Sequence, residues 1–255
     1  MNAVLKGILE AGHVTSPTGA RLPLHSHVLP DEGSFIQHVI HEIKPRVSLE
    51  IGCAFGVSSL YICDALADIA AERHIIIDPY QYQHWQGIGI EHVKAAGFAD
   101  LVELHELPSH QALPRLEAAG CRADFVFIDG AHWFDYVMVD FFGIDRLLNV
   151  GGVVVFDDLD WPGVRKACRY ILSNRAYTIF PAQPVSSQTG SWLRRLAFGV
   201  PPLRRRLQRI AKPEFLQPDS TLSLDRRFVG LKKEADDTWI EGTDGWRPFD
   251  FHREF

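Results

Sequence analysis

Four side chains in two short runs have the types and spacing for proton or metal chemistry. Asp124-Phe-Val-Phe-Ile-Asp129-Gly-Ala-His132 ends an apolar run on a carboxylate with an imidazole three residues on, and Gly152-Val-Val-Val-Phe-Asp157-Asp158 ends on a carboxylate pair. Such continuous apolar runs read as strands buried on both faces, and open α/β sheets place their ligands at the carboxyl ends of those strands. If the two strands are neighbours, Asp129, Asp157 and Asp158 converge within a few Å. Two like charges about 4 Å apart repel by about 4 kcal/mol at an effective dielectric of about 20, so the trio takes up protons or binds a cation. Oxygen ligands alone favour a hard ion, Mg²⁺ first, with Ca²⁺ or Mn²⁺ as alternatives. Any one of these Asp residues is equally a turn or helix cap, and only the three together point to a metal. His132, whose ordinary pKa is about 6.5, suits a general base; the alternative is a histidine that only holds the loop or a carboxylate.

A second group of residues has the pattern of a small-molecule cradle. Val47-Ser-Leu-Glu50-Ile-Gly52-Cys-Ala54-Phe-Gly56-Val-Ser58-Ser59 reads as a buried strand breaking into a glycine turn that opens a helix. Amides at such a helix start bind carboxylates and other anions. A dinucleotide fingerprint would need glycines where Ala54 and Val57 stand. Downstream, His74-Ile-Ile-Ile-Asp78-Pro is another buried strand with a carboxylate at its end. An acidic residue about 20 to 30 positions beyond a glycine turn is where nucleoside-binding α/β folds hold the ribose hydroxyls, the alternative being a turn Asp before Pro79.

The elements that must position these groups follow from the same patterning. Residues 1–32, with Gly12, Pro17, Gly19, Pro23 and Pro30, show no sustained period and read as an irregular arm. His25, His27, His38 and His41 straddle a Pro-Asp-Glu-Gly loop and are expected in ordinary surface or packing roles. Phe35, Ile36, Val39, Ile40 and Ile43 form a helical stripe that Pro45 ends. Helices are expected over 57–70, 109–119 and 134–148 and from Trp161, with strands over 101–107, 177–180 and 227–233 and a turn at Asn149-Val-Gly-Gly152. The stretch 185–213 holds seven Arg and Lys and no acid, with Leu203, Leu207 and Ile210 at helical spacing. It is expected to lie solvated on the domain or on the mate of a homodimer. An anionic membrane surface, an acidic partner or a phosphorylated substrate is the alternative for so basic a face. Trp239, Trp246, Phe249 and Phe251 are expected to anchor the tail.

The whole chain sets bounds. With 255 residues and 46% apolar residues it can bury one large α/β core. The expected division is an arm and helix over 1–45, a core over 46–184, the basic insert over 185–220, and a last strand and tail over 221–255. A net charge of -6 argues against nucleic acid as the main partner. There is no signal-like apolar run after Met1 and no stretch of about 20 apolar residues, so the expected location is the cytoplasm. Cys53, Cys63, Cys121 and Cys168 lack zinc or disulfide spacing and are expected to be reduced and structural.

Taken in order, Leu-Glu50-Ile-Gly52-Cys-Ala-Phe-Gly56, Ile-Asp78-Pro, Phe-Ile-Asp129-Gly-Ala-His132 and Gly-Gly152-Val-Val-Val-Phe-Asp157-Asp158 with Pro162-Gly163 resemble the class I S-adenosylmethionine-dependent O-methyltransferases. The resemblance spans about Val47 to Gly163 and is to the branch related to catechol O-methyltransferase and the macrocin and cephalosporin-tailoring methyltransferases. It implies a Rossmann-like, doubly wound α/β fold with a seven-stranded sheet ordered 3-2-1-4-5-7-6, the last strand antiparallel. Carried over by position, Glu50, Gly52, Ala54, Gly56 and Ser58 line the methionine end of the cofactor. Asp78 accepts from the ribose hydroxyls, Ser109 contacts adenine, and Asp129 borders the cofactor. Asp129, Asp157 and Asp158 fall on three metal positions, the third of which is Asn in the catechol enzymes. His132 falls where those enzymes place a lysine base and where sugar-type relatives also carry His. The implied reaction moves a methyl group to a hydroxyl of a small molecule, a vicinal diol on a sugar, polyketide or catechol, assisted by a divalent cation. Two competing readings are a non-catalytic interaction module that keeps the cofactor fold and a nicotinamide-dependent oxidoreductase. The intact Asp78, Asp129 and His132 count against the first and the absent glycines against the second.

Overall fold

A computed structural model describes residues 1–181, 219–220 and 222–236. The basic stretch 185–213 and the tail aromatics Trp239, Trp246, Phe249 and Phe251 lie outside the described residues. In chain order the arm is α1 (Ala3–Ala11), then β1 (His13–Thr15) and β2 (Arg21–Pro23), followed by α2 (Pro30–Ile43). The core continues through β3 (Val47–Ile51), α3 (Val57–Asp68), β4 (Arg73–Ile77), α4 (Ile88–Ala95), β5 (Val102–His105) and α5 (Ser109–Ala118). Then come β6 (Ala123–Ile128), α6 (Phe134–Leu147), β7 (Leu148–Phe156), α7 (Pro162–Asn174), β8 (Tyr177–Ile179) and β9 (Val229–Lys233).

The seven-stranded sheet runs β5-β4-β3-β6-β7-β9-β8. Its strands are parallel except β9, which runs antiparallel to both neighbours. Counted from β3, this is the order the resemblance implies. The period of two along each strand splits the core into two layers. Val126, Ile128, Val154 and Phe156 face α5, α6 and α7, whereas Phe125, Phe127, Val153 and Val155 face the other way, onto the cluster of α1, α2 and α3. Each fully buried Leu, Ile or Phe of this kind stabilises the fold by about 1.5–3 kcal/mol, so no strand can slip by one residue without moving a whole layer into water.

Three expectations change. The arm is structured: Asn2 caps α1 through a bond from Val4 N, Gly12 closes it with φ 64°, and Leu5 and Ile8 are buried. β1 and β2 form an antiparallel hairpin. The Pro-Asp-Glu-Gly loop is the first turn of α2, with Pro30 at the position where its missing N–H costs nothing. The expected turn at Asn149–Gly152 is part of β7, where the register with β6 shifts between Ala123 and Phe125 and Gly151 takes φ 88°. A bulge there absorbs the extra residues. Sequence patterning assigned no element to 79–100, which contains α4.

The sheet's topology fixes where a site can form. Strand order reverses between β3 and β6, and their ends touch, with Asp129 N donating to Ile51 O at 2.9 Å, while Gly52 N ties the same turn to the end of β4 through Ile77 O at 2.9 Å. Gly52 has φ 92°, and a Cβ there would stand 2.1 Å from the carbonyl oxygen of Asp129. Gly52→Ala therefore both strains the backbone and drives two strand ends apart. It should cost at least about 2–3 kcal/mol, read as a lowered urea midpoint. An unchanged midpoint would show that the two ends are not in contact.

Candidate active site

Ile128 of β6 lies opposite Phe156 of β7, so the residues that follow them emerge side by side. His132 Nε2 lies 3.2 Å from Asp129 Oδ1 and 3.3 Å from Asp158 Oδ2. One ligand atom from each of these three residues falls within 4.8 Å of the others. Asp157 departs from the expected trio. Its Oδ1 accepts from Asp158 N at 2.5 Å and from Arg227 Nε at 3.4 Å, and the residue is 2% exposed. Asp158 adopts a left-handed backbone, φ 56°, a conformation Asp tolerates better than most residues. Adjacent carboxylates on that turn meet different partners.

Two members of the cluster escaped the sequence reading. Arg227, two residues before β9, also lies 3.6 Å from Asp158 Oδ1 and 3.9 Å from Glu32 Oε2. Glu32, on the first turn of α2, is fully buried. Burial and the neighbouring Asp157 hold its carboxyl well above the usual carboxylate range. Burial also pushes Asp129 up to about 7, against the opposing bond from His132. His132 is raised by that same bond to Asp129, and Asp158 is raised by burial and by Asp157. Four carboxyl groups thus share two basic partners, leaving an excess of negative charge that protons or a cation must offset.

The glycine turn is built from below and from the side. Glu50 is fully buried, and its Oε2 accepts from Ser59 Oγ and lies 3.1 Å from His74 Nε2, whose Nδ1 meets Ser48 Oγ at 2.8 Å. It supports the turn from beneath. Asp78 Oδ2 accepts from Cys53 N and Ala54 N, both at 3.1 Å, and Oδ1 from Tyr80 N at 2.9 Å. The turn and the end of β4 are thereby one unit. Gly52 and Ala54 are the half-buried positions of the turn, while Ser58 is buried in the first turn of α3. Gly56 precedes that helix with no side-chain cap, so the first amides of α3 lack a side-chain acceptor. Ser109 opens α5 half-buried, and its hydroxyl bonds to Asp140, a buried carboxyl on α6 whose pKa burial raises to about 6.

Aromatic side chains rim the cluster. Trp161 lies 5.6 Å from the His132 ring at 30° and is 50% exposed, and Trp133 and Phe134 are exposed alongside. A Cβ on Gly163 would come within 2.7 Å of His132 O, so the start of α7 packs directly on the loop that carries the histidine. From the arm, His25 packs on Phe55 and Trp85. Arm residues His38 and His41 are elsewhere, against Phe180 and Asp68.

A sheet in this order, with a glycine turn after its first strand and acidic residues after its fourth and fifth, defines a class I methyltransferase fold. Comparisons agree. The family profile described as "Methyltransferase domain" matches residues 49–159. Caffeoyl-CoA O-methyltransferase 2 of Petunia hybrida is 32% identical over 136 residues, 52% of this chain and 54% of the relative. Catechol O-methyltransferase B of Danio rerio is 29% identical over 151 residues, 58% of this chain and 55% of the relative. The chain thus spans about half the length of the curated relatives it matches. Among solved structures, an O-methyltransferase from Bacillus cereus in complex with SAH superposes with a TM-score of 0.58 at 21% identity, covering 72% of this chain and 86% of that one. The O-methyltransferase TomG of Streptomyces achromogenes, in complex with SAM, gives 0.57 at 22%, covering 72% and 84%. Residues 49–159 of the chain thus match the methyltransferase-domain family, and the solved structures share its fold.

The raised carboxyls predict how stability depends on pH without a cation. Glu32 and Asp129 bind protons more tightly in the folded than in the unfolded chain, so their contribution is fully present at low pH and is lost as pH rises out of the ordinary carboxylate range through neutrality. His132 has the same sign: its contribution is present below its unfolded pKa of about 6.5 and is lost as pH rises through the higher folded value. In chelator, the melting temperature should fall between about pH 6 and pH 8.5. A flat or rising profile would mean that the cluster is already neutralised within the protein.

Proposed function

We propose that this chain transfers a methyl group from S-adenosylmethionine to a hydroxyl of a small molecule, with a divalent cation, Mg²⁺ first, in the acidic cluster. The observation that carries the reading is the meeting of Asp129, His132 and Asp158 next to a glycine turn clamped by Asp78. The donor set fits a hard ion: carboxylate oxygens predominate, and the surplus negative charge around them is what a divalent cation offsets. Imidazole is not a preferred ligand for such an ion, so His132 is given the proton and Asp129 and Asp158 the cation, with Asp157 behind them. No helix among the described residues is long and apolar enough to cross a membrane.

The turn fits the cofactor as well. The uncapped amides at the start of α3, with Ser58, suit its carboxylate, and the half-buried backbone at Gly52 and Ala54 leaves room for its methionine end. Asp78 Oδ2 is already met by Cys53 N, Ala54 N and Gln81 Nε2, whereas Oδ1 accepts from Tyr80 N and is the oxygen left to take a ribose hydroxyl. Ser109 opens α5 on the adenine side. When bound, the sulfonium supplies an electrophilic methyl group and the cation lowers the pKa of a hydroxyl placed against it. The chain's own work is placement and proton removal. His132 takes the proton of the attacking hydroxyl on Nδ1, which requires the neutral imidazole, while Nε2 donates to Asp129 and fixes the ring. Trp161 offers a flat apolar wall beside that position, which suits an acceptor ring bearing adjacent hydroxyls.

Calorimetric titration with S-adenosylmethionine and with NAD, each with and without Mg²⁺, tests the reading: only the first should bind. Asp78→Ala should weaken that binding at least about tenfold through lost charge-assisted bonds and a loosened turn. Equal affinity in a folded variant would remove Asp78 from the site. With catechols as trial acceptors, chelator should abolish turnover and leave cofactor affinity intact. His132→Ala should lower kcat by about 10²–10⁴ with cofactor affinity unchanged, and the acidic limb of the pH profile should disappear.

A further inference from the structure

Glu32 is placed in a way its own helix does not explain. It stands three residues after Leu29, which caps α2, the position from which a Glu ordinarily reaches back to the cap amide. It makes no such bond. The side chain is fully buried, and no hydrogen-bond donor among the described residues reaches either carboxyl oxygen. Its nearest cation is Arg227 Nε, 3.9 Å from Oε2, which is closer to Asp157. Asp157 and Asp129 are the acidic neighbours it feels most strongly. A buried carboxylate facing other carboxylates without a donor is among the costliest arrangements a fold can hold, and it persists where something else completes it.

We propose that Glu32 is a further carboxylate of the cation site beside Asp129 and Asp158, reaching it from the N-terminal helix on the Asp157 side, so that a bound ion ties α2 to the ends of β6 and β7. The inference rests on the reading that the cluster takes a divalent cation. It deepens that reading by giving the arm a share of the ion. α2 is suited to the task, because Phe35, Ile36, Val39 and Ile40 fix it in the same core cluster as Val153 and Val155 of β7. The competing explanation is a neutral carboxylic acid sharing a proton with Asp157, and the two differ in what an amide replacement does.

Mn²⁺ binding to the full chain, followed by electron paramagnetic resonance and by the rise in melting temperature over chelator, separates them. Glu32→Gln should weaken Mn²⁺ binding by at least about tenfold, while S-adenosylmethionine affinity stays within about twofold and the melting temperature in chelator is equal or higher. If the variant binds Mn²⁺ as tightly as the wild type, the amide has replaced a protonated acid and the proposal is overturned. Hydrogen exchange on the wild type needs no variant: Mn²⁺ should slow exchange in the first turn of α2 as well as around Asp129 and Asp158, and protection confined to the latter overturns it. A wild type that binds no Mn²⁺ fails the cation reading itself, whatever Glu32 does.

Discussion

Gly52 lies so close to Asp129 that no side chain fits between them, and both halves of the site are measured from that contact. A Cβ would stand 2.1 Å from the Asp129 carbonyl. On one side of it the turn is held by Asp78 after β4, and on the other the cluster begins with Asp129 after β6. The distance from the cofactor cradle to the acidic cluster is thus set by main-chain bonds between neighbouring strands, which flex far less than side chains. Methyl transfer needs this kind of fixed separation, since an in-line displacement loses rate steeply with small misplacements.

Two charge systems sit at this junction and differ in kind. Beneath the turn, Ser48, His74, Glu50 and Ser59 form a fully buried chain of polar contacts, closed except for Glu50 Oε1. It holds the turn in place. The cluster above is open and over-supplied with carboxyls, with Arg227 and His132 as its basic partners. Arg227 acts there as an internal counter-ion to Asp157 while Asp129 and Asp158 face His132. A closed network stabilises one conformation; an open, over-charged one is stabilised further by whatever neutralises it.

The strand-end carboxylates were legible because the strands that carry them are unbroken apolar runs, and the strand order was legible through the order of the motifs. Arg227 was not. It lies 70 residues from Asp157, beyond a stretch whose length gives no register, and only the antiparallel return of β9 brings it back. Glu32 was hidden differently: Pro-Asp-Glu-Gly reads as a turn, yet Pro30 is as good a first helical residue as a turn former, and tertiary packing decides between them. The arm gave no period for a related reason, since a nine-residue helix and two three-residue strands are each too short to repeat a pattern. Asp157 shows a finer limit. Sequence placed it at the right strand end, but the left-handed backbone of Asp158 decides which way each carboxylate points, and Asp-Asp carries no sign of it.

The arm and the start of α2 are where sequence pattern was weakest, and that has a physical consequence for how the site is assembled. The central strands and glycine turn are specified by local pattern and a few neighbouring contacts. The arm is specified only by what it packs against. Leu5, Ile8, Val14 and Val28 share one hydrophobic cluster with Leu60 of α3 and with Phe125 and Phe127 of β6. His25 touches the turn through Phe55, and Glu32 touches the cluster through Asp157. The arm therefore meets both the cofactor side and the acidic side of the junction. A segment held largely by burial, and carrying a buried carboxyl without a hydrogen-bond donor into the site, is an element whose docking responds to the charge that the site contains.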